Sequence, residues 1–373
     1  MNIIPRRILG STGEQVSTLA FGGFHLMEVL PTDAENLIHK YLDCGGNLIE
    51  TAISYGDSEI KIGRALQGKR DEVFLSTKTH FRTKSEAAAS IDTSLKNLRT
   101  DHLDNLFMHG VNTQEEMDLI LSEDGAMSAA LEARDAGKLR YIGITSHNPE
   151  NLFKSIQRYR FDVVMEWMNY YDYFNFPLIF DSIIPYCVEN GIGLMAMKPI
   201  ADGLLYRSAN QAFKWTWSLP IASIATGNNT LEMLESNIQL ASDFTPMTDA
   251  QKEELYKTAP EYAGYVCRRC GECNKNKLGL NIMQIFGLEG YYDRQMYSGN
   301  IPDAAEYALR ERLRFWFGNQ DYARECFAKL NIEIPVGVSN KDLCVECPYG
   351  IDIARKLRLA AWKLTGVNEY IES

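Results

Sequence analysis

Residues 47–78 read NLIETAISYGDSEIKIGRALQGKRDEVFLSTK, and this stretch decides how the first part of the chain folds. Two short apolar runs, NLIETA (47–52) and EVFLSTK (72–78), flank SEIKIGRALQ (58–67), whose apolar residues recur at helical spacing. Short, nearly continuous apolar runs separated by a helix are expected for parallel strands covered on both faces. The same unit recurs outward in both directions. Further candidate strands are TLAFGG (18–23), LDNLFMH (103–109), RYIGIT (140–145), DVVMEWM (162–168), GIGLMAM (191–197) and IASIATG (221–227). Candidate helices between them include AENLIHKYLDCG, closed by Gly45, KSEAAASIDTSLKNL, and NPENLFKSIQRYR, opened by Asn148-Pro149. Eight strands alternating with helices predict a (β/α)8 TIM barrel. A doubly wound open sheet would want a G-x-G-x-x-G turn after a strand, and the chain has none. Ahead of the barrel, RRILGSTGEQVSTL predicts a hairpin turning at Ser11-Thr12-Gly13 and capping the barrel bottom.

The chain has 373 residues, 45% hydrophobic and 23% charged, as expected of a globular protein. Its net charge of −11 gives no footprint for nucleic acid or an anionic membrane. No apolar run approaches the ~20 residues of a bilayer span, and MNIIPRRILGSTGEQVS lacks a signal-peptide core. A cytoplasmic protein is expected. The division expected is a barrel at 1–245 and a smaller, mostly helical cysteine-containing domain at 246–373, with the boundary in SDFTPMTDAQKEE.

Barrel chemistry collects at the C-terminal ends of strands. Those ends supply Glu50, Lys78 and His109, and Tyr55 follows Glu50 in the loop before SEIKIGRAL. These groups suit carbonyl reduction, where negative charge grows on an oxygen that must be protonated or stabilised. Tyr55 is the expected proton donor, with Lys78 lowering its pKa and Glu50 anchoring Lys78. His109 is expected to orient the carbonyl.

The stretches RRILGSTGEQVSTLAFGG, NLIETAISYGDSEIKIGRAL, VFLSTK, LFMHG, AGKLRYIGITSHN and GIGLMAMKP resemble the aldo-keto reductase superfamily, in order along the first two-thirds of the chain. The resemblance implies a (β/α)8 barrel, a nicotinamide cofactor and an Asp-Tyr-Lys-His tetrad. Its match falls on Tyr55, Lys78 and His109, with Glu50 in place of the aspartate. It also implies a cofactor segment of the form K-S-x-x-x-x-R-x-x-E-N, matched here by GNNTLEMLESN. Gly227 and Met233 replace the two cations that would hold a 2′-phosphate, Glu232 and Glu235 would repel one, and Asn237 keeps its match. NAD(H) is therefore expected at least as readily as NADP(H). The helix starting near Thr230 is expected to take the pyrophosphate. Thr145, Ser146, Asn169, Met197, Lys198, Gly227, Asn228 and Asn237 complete the expected cofactor contacts, with Met165 at the family's glutamine position. The implied substrate is an aldehyde, ketone or sugar-like carbonyl. The alternative is a non-catalytic redox-sensing or electron-transfer protein on a reductase scaffold. The aromatic run MEWMNYYDYFNF (165–176) reads either as a pocket wall or as a packed segment.

Six of the eight cysteines fall between 267 and 347. Cys267, Cys270 and Cys273 form C-x2-C-x2-C, and Cys344 and Cys347 form C-x2-C before Pro348. Close-set cysteines without a secretory signal point to metal rather than disulfides. This part resembles the ferredoxin-type segment carried by a microbial branch of the same superfamily. In two-cluster ferredoxins the fourth cysteine of each run ligates the other cluster. Here the fourth position of the first run is Lys277, and the second run keeps only Cys347-Pro348 in register. The resemblance thus implies one [4Fe–4S] cluster on Cys267, Cys270, Cys273 and Cys347. Cys344 is a substitute ligand, because the pattern puts the third cysteine at Leu343. The cluster would then be structural or would serve a redox partner protein; a four-cysteine zinc site is the other reading. Cys44, Cys187 and Cys326 read as apolar thiols. The aromatic segment 281–335 is expected to form helices joining the two cysteine runs.

Overall fold

All eight candidate strands form, and each starts or ends within two residues of its expected place. The computed structural model describes residues 3–296 and 318–372. The expected helix on ALRERLRFWFG (308–318) lies almost wholly outside the described residues. The chain divides into two compact units, the first made of 1–168, 178–199 and 210–246 and the second of 169–177, 200–209 and 247–373. Two excursions, 169–177 and 200–209, thus belong to the second unit, where the sequence division had placed them in the barrel.

In the first unit, β1 (Arg6–Ile8) and β2 (Gln15–Ser17) pair antiparallel, Arg6 opposite Ser17. The eight parallel strands that follow are β3 (Leu19–Gly22), β4 (Leu48–Glu50), β5 (Phe74–Thr79), β6 (Leu103–Met108), β7 (Leu139–Thr145), β8 (Val163–Trp167), β9 (Gly193–Met197) and β10 (Ser223–Gly227). They close in chain order, β10 pairing with β3. Every residue of β5 and β6 is buried, the polar Ser76, Thr77, Lys78, Asp104 and Asn105 included, as expected of strands covered on both faces. The hairpin plugs the bottom. Leu9 and Val16 join the buried cluster that includes Phe74, Phe107, Met165 and Met195. A Cβ at Gly10 would sit 2.3 Å from the Gly193 nitrogen at the start of β9, so that contact requires a glycine.

Helix starts follow their sequence signals. Asn148 caps the helix Pro149–Arg158 by accepting from the Asn151 N–H, with Pro149 in its first turn. The helix Pro31–Asp43 ends before Gly45, at φ 85°. Among the described residues, no helix is long and apolar enough to cross a membrane.

The second unit is built, among its described residues, from helices, 3-10 turns and loops. Its principal helices are Asp249–Thr258, Ile282–Asp293, Gln320–Leu330 and Ile353–Thr365. The last three of these share a core that takes in Ile282, Phe286, Phe327, Leu357 and Leu364, with Leu343 packed in it. The aromatic run divides at Asn169. Tyr170, Tyr171 and Phe174 are buried in a ring cluster with Tyr262, so this part is packed core.

Candidate active site

Parallel register brings the strand-end groups together. Glu50 is the last residue of β4 and pairs in register with Ser76 of β5, two residues before Lys78. The Lys78 ammonium makes a very short contact to Glu50 Oε2 and donates to the Thr51 carbonyl at 2.8 Å. Both side chains are buried. The Glu50 carboxylate lies alongside Gly22 on the neighbouring strand β3. A Cβ there would lie 3.1 Å from Glu50 Oε1.

Tyr55 sits in the loop before the helix Ser58–Ala65. Lys78 Nζ lies 4.8 Å from its ring centroid, and the His109 ring meets it edge-on at 5.9 Å. All four tetrad residues therefore share one rim. His109 follows β6, and its carbonyl accepts from the Arg82 guanidinium at 2.9 Å. Arg82 is itself paired with Glu116.

Charge on this rim differs in one respect from expectation. Burial raises the Tyr55 phenol above its ordinary range, and the Lys78 ammonium offsets this only in part. The sequence reading had Lys78 lowering that pKa; desolvation is the larger effect. Tyr55 thus stays protonated at neutral pH, the form a proton donor requires. Burial also works against charge on Lys78, but Glu50 and Tyr55 together hold it above the usual lysine range. His109 is pushed down to about 3 by burial and then by Lys78, so it is neutral and can donate one hydrogen bond.

The expected cofactor contacts divide into groups. On the first unit's rim, Thr145 Oγ1 accepts from the Gly110 N–H, and Ser146 Oγ bonds Asn112 and Asn148. Asn228 Nδ2 donates to the Thr226 carbonyl, and Asn237 donates to Asn228 Oδ1 at 2.8 Å. Thr230 caps the helix Leu231–Ser242. Met197 is half-buried against the barrel core, and Lys198 follows it with φ 57°. Met165 is buried in that core, which fits packing and not cofactor contact. Glu235 is paired with Lys40 at 2.8 Å. Asn169 belongs to the second unit, where its side chain caps the helix Tyr170–Asn175 and bonds Asp172.

Two rim residues escaped the sequence reading. Phe24 packs edge-on against Tyr55 at 5.1 Å. The His25 ring covers Gly227 so closely that a Cβ there would fall 1.8 Å from Nδ1. The strand-end rule applied to TLAFGG would have reached both, since they follow the first barrel strand directly.

In the second unit, Cys267, Cys270, Cys273 and Cys347 line one largely enclosed pocket, together with Phe286 and Tyr349. The Arg269 N–H donates to Cys267 Sγ and the Tyr349 N–H to Cys347 Sγ, each at 3.4 Å. Burial and the charges of the other three cysteines push Cys273 up to about 12. Cys344 does not line the pocket; it is exposed, and its thiol donates to the Lys341 carbonyl. Among the described residues, no group of three or more His, Cys, Asp or Glu is arranged to hold a single metal ion. Cys44 and Cys187 are buried, while Cys326 is half-buried.

Comparison with known proteins adds a family. The model of the "Aldo/keto reductase family" matches residues 18–262. L-galactose dehydrogenase of Arabidopsis thaliana is 30% identical over 224 residues, 55% of this chain and 68% of that one. L-glyceraldehyde 3-phosphate reductase of Escherichia coli is 26% identical over 226 residues, 53% of this chain and 62% of that one. An aldo-keto reductase structure from Bacillus halodurans superposes with a TM-score of 0.60 at 23% identity, covering 68% of this chain and 96% of that one, a likeness of fold.

Proposed function

Because the chain belongs to the aldo/keto reductase family and is an oxidoreductase, we propose that it interconverts a small carbonyl compound and its alcohol with NAD(H) or NADP(H). The observation that carries this reading is the shared rim of Tyr55, Lys78, His109 and Glu50. When bound, the nicotinamide supplies or accepts the hydride. The protein's own residues do the rest. Tyr55 holds the proton at its phenol oxygen until charge develops on the substrate oxygen. Lys78, kept charged by Glu50, stabilises the phenolate left behind. Neutral His109 donates to the carbonyl and fixes its direction. In the alcohol-oxidising direction the same phenolate takes the proton back.

The rim residues suit a dinucleotide in kind. Thr145, Ser146, Asn228 and Asn237 offer hydroxyl and amide groups, Met197 an apolar face, and the helix capped by Thr230 a pyrophosphate end. Gly227 and Met233 supply no cation, and Met233 is exposed. This supports NAD(H) at least as strongly as NADP(H). The two named relatives support a small hydroxylated, sugar-like carbonyl as substrate. The test is Tyr55→Phe. Turnover of glyceraldehyde should fall by roughly 10²- to 10⁴-fold, with NADH and NADPH binding by fluorescence quenching unchanged. Unaltered turnover would remove Tyr55 from the mechanism.

For the segment 246–373 we infer one [4Fe–4S] cluster on Cys267, Cys270, Cys273 and Cys347, in a reducing cytoplasm. Four thiols on one enclosed pocket, with two N–H groups directed at sulfur, fit that donor set. A four-cysteine zinc site is the other reading of the same donor set. Protein purified without oxygen should contain about four iron and four sulfide per chain. A colourless protein with zinc and no iron sinks this assignment.

A further inference from the structure

A turn beside Tyr55 is fastened to the neighbouring helix Ser58–Ala65. The turn Phe24–Glu28 leaves β3 and places its side chains around the reaction centre. Phe24 rests on Tyr55, and Met27 lies 3.3 Å from where a Cβ on Gly56 would be. Phe24 and Met27 are 48% and 39% exposed, so both face open space while touching the Tyr55 loop. A turn with two exposed apolar side chains has little burial of its own to hold it; only Leu26 is fully buried.

Beside the Gly23 N–H, which donates to the Glu50 carbonyl at 2.8 Å, the first turn of the helix Ser58–Ala65 fastens it. Ser58 Oγ donates to the Gly23 carbonyl at 2.8 Å, and Lys61 Nζ donates to the Leu26 carbonyl at 2.7 Å. Ser58 and Lys61 stand three apart, so they share a helix face and grip the turn at its start and at its middle residue. Lys61 also pairs with Asp57 at 2.7 Å, but the two partners are unequally placed. The Lys61 side chain is 5% exposed and that of Asp57 is 53% exposed. An ammonium this buried is retained for its inward bond, because a surface ion pair contributes little.

We propose that Lys61 is a positioning residue for the reductase reaction. Its bond to the Leu26 carbonyl locks the Phe24–Glu28 turn and the Tyr55 loop into one rigid wall, which selects for carbonyl substrates reaching as far as Phe24. This rests on Tyr55 being the reaction centre. Lys61 touches no substrate; it acts through the turn.

The experiment compares two probes, 4-nitrobenzaldehyde, which reaches the wall, and glyceraldehyde, which is smaller. Lys61→Met keeps the buried stem and removes the donor. KM for 4-nitrobenzaldehyde should rise roughly tenfold, KM for glyceraldehyde should move less than about twofold, and NADH affinity should hold. Asp57→Asn should change neither KM, since the inward bond survives. Lys61→Arg, which keeps a cationic donor, should recover part of the loss. If Lys61→Met lowers the melting temperature but shifts both probes equally, the residue is merely structural and the proposal fails. If Tyr55→Phe retains turnover, the reaction centre itself has been misplaced and the proposal falls with it.

Discussion

The barrel rim and the helical unit both keep charge away from water, and they do it differently. On the rim the buried ion pair is Glu50–Lys78, each partner delivered by the end of a strand. Strand register fixes their meeting. The second unit has no sheet among its described residues, and buried charges link its helices beside their apolar core. Glu289 of the helix Ile282–Asp293 accepts from Lys356 and Lys363 of the helix Ile353–Thr365, both at 2.6 Å, and Asp293 takes Lys363 at 2.9 Å. Lys356 also lies 3.6 Å from the Tyr265 ring centroid. Arg294 pairs with Asp172 with neither side chain exposed. A backbone ladder tolerates the loss of one side chain; a network of few charges does not. The barrel's ion pair is thus available for chemistry, whereas the helical unit's ion pairs hold its helices together.

The strongest way to break this comparison is Glu289→Gln. It strands the Lys356 ammonium and leaves Lys363 with Asp293 alone, and removing one partner from a buried pair costs about 3–5 kcal/mol. Denaturant unfolding of the full chain should show that loss in the transition of the helical unit. Lys78→Met on the rim strands one carboxylate and should destabilise less, while removing turnover. Equal losses would show that the rim pair is as structural as the other.

Acid sharpens the contrast next. Glu289 is held at about 2, against an ordinary 4.5, by Lys356 and Lys363 working against its burial. Its folded pKa is depressed, so its stabilisation is complete above 4.5 and is lost as pH falls toward 2. His109 is held at about 3 against 6.5, mainly by burial. Between those values the unfolded chain binds a proton that the fold refuses, so barrel stability declines as pH drops from 6.5 toward 3. Acidification should therefore loosen the barrel before the helical unit. Hydrogen exchange read segment by segment between pH 7 and 4 checks the order, and His109→Gln should abolish the upper window only.

These two regions were also unequally legible from sequence. The barrel could be read because strands buried on both faces are short and mostly apolar and alternate regularly with helical segments. Glu50, Lys78 and His109 then followed from where those strands end. Tyr55 was reached from its place in the loop just after Glu50 and from the need for a proton donor. Phe24 and His25 were missed although the same strand-end rule reaches them. In the helical unit the cysteine spacing was legible, because C-x2-C-x2-C is local chemistry. Its buried charges were not. Lys356 and Lys363 look like the solvated face of a helix, and their pairing with Glu289 and Asp293 is long-range. Their spacing was the available signal: seven residues between the lysines and four between the carboxylates place each pair on one helix face. The two excursions, 169–177 and 200–209, left no mark in composition, since apolar and aromatic residues pack equally well in either unit.

The smallest expected effect concerns Cys344, where register and proximity disagree. Cys344 stands only three residues from Cys347, and spacing alone would pair them as ligands. Local folding separates them. Ser339 and Asp342 form a capping box for the helix Asn340–Leu343, and that helix ends with Cys344 at φ 53°. Leu343 is turned fully inward, while Cys344 is turned out to solvent. One residue of helix is about 100° of rotation, so the apolar anchor at 343 dictates that 344 faces elsewhere. Cys344→Ser keeps the size, the backbone strain at that position and the capping box. If the proposed cluster is present, it should leave iron content, visible absorption and melting temperature unchanged, whereas Cys347→Ser, on the pocket wall, should lose the iron. An equal loss in both variants would mean that the helix Asn340–Leu343 unwinds when the cluster is loaded. The anchoring of Leu343 would then be weaker than four thiolate bonds.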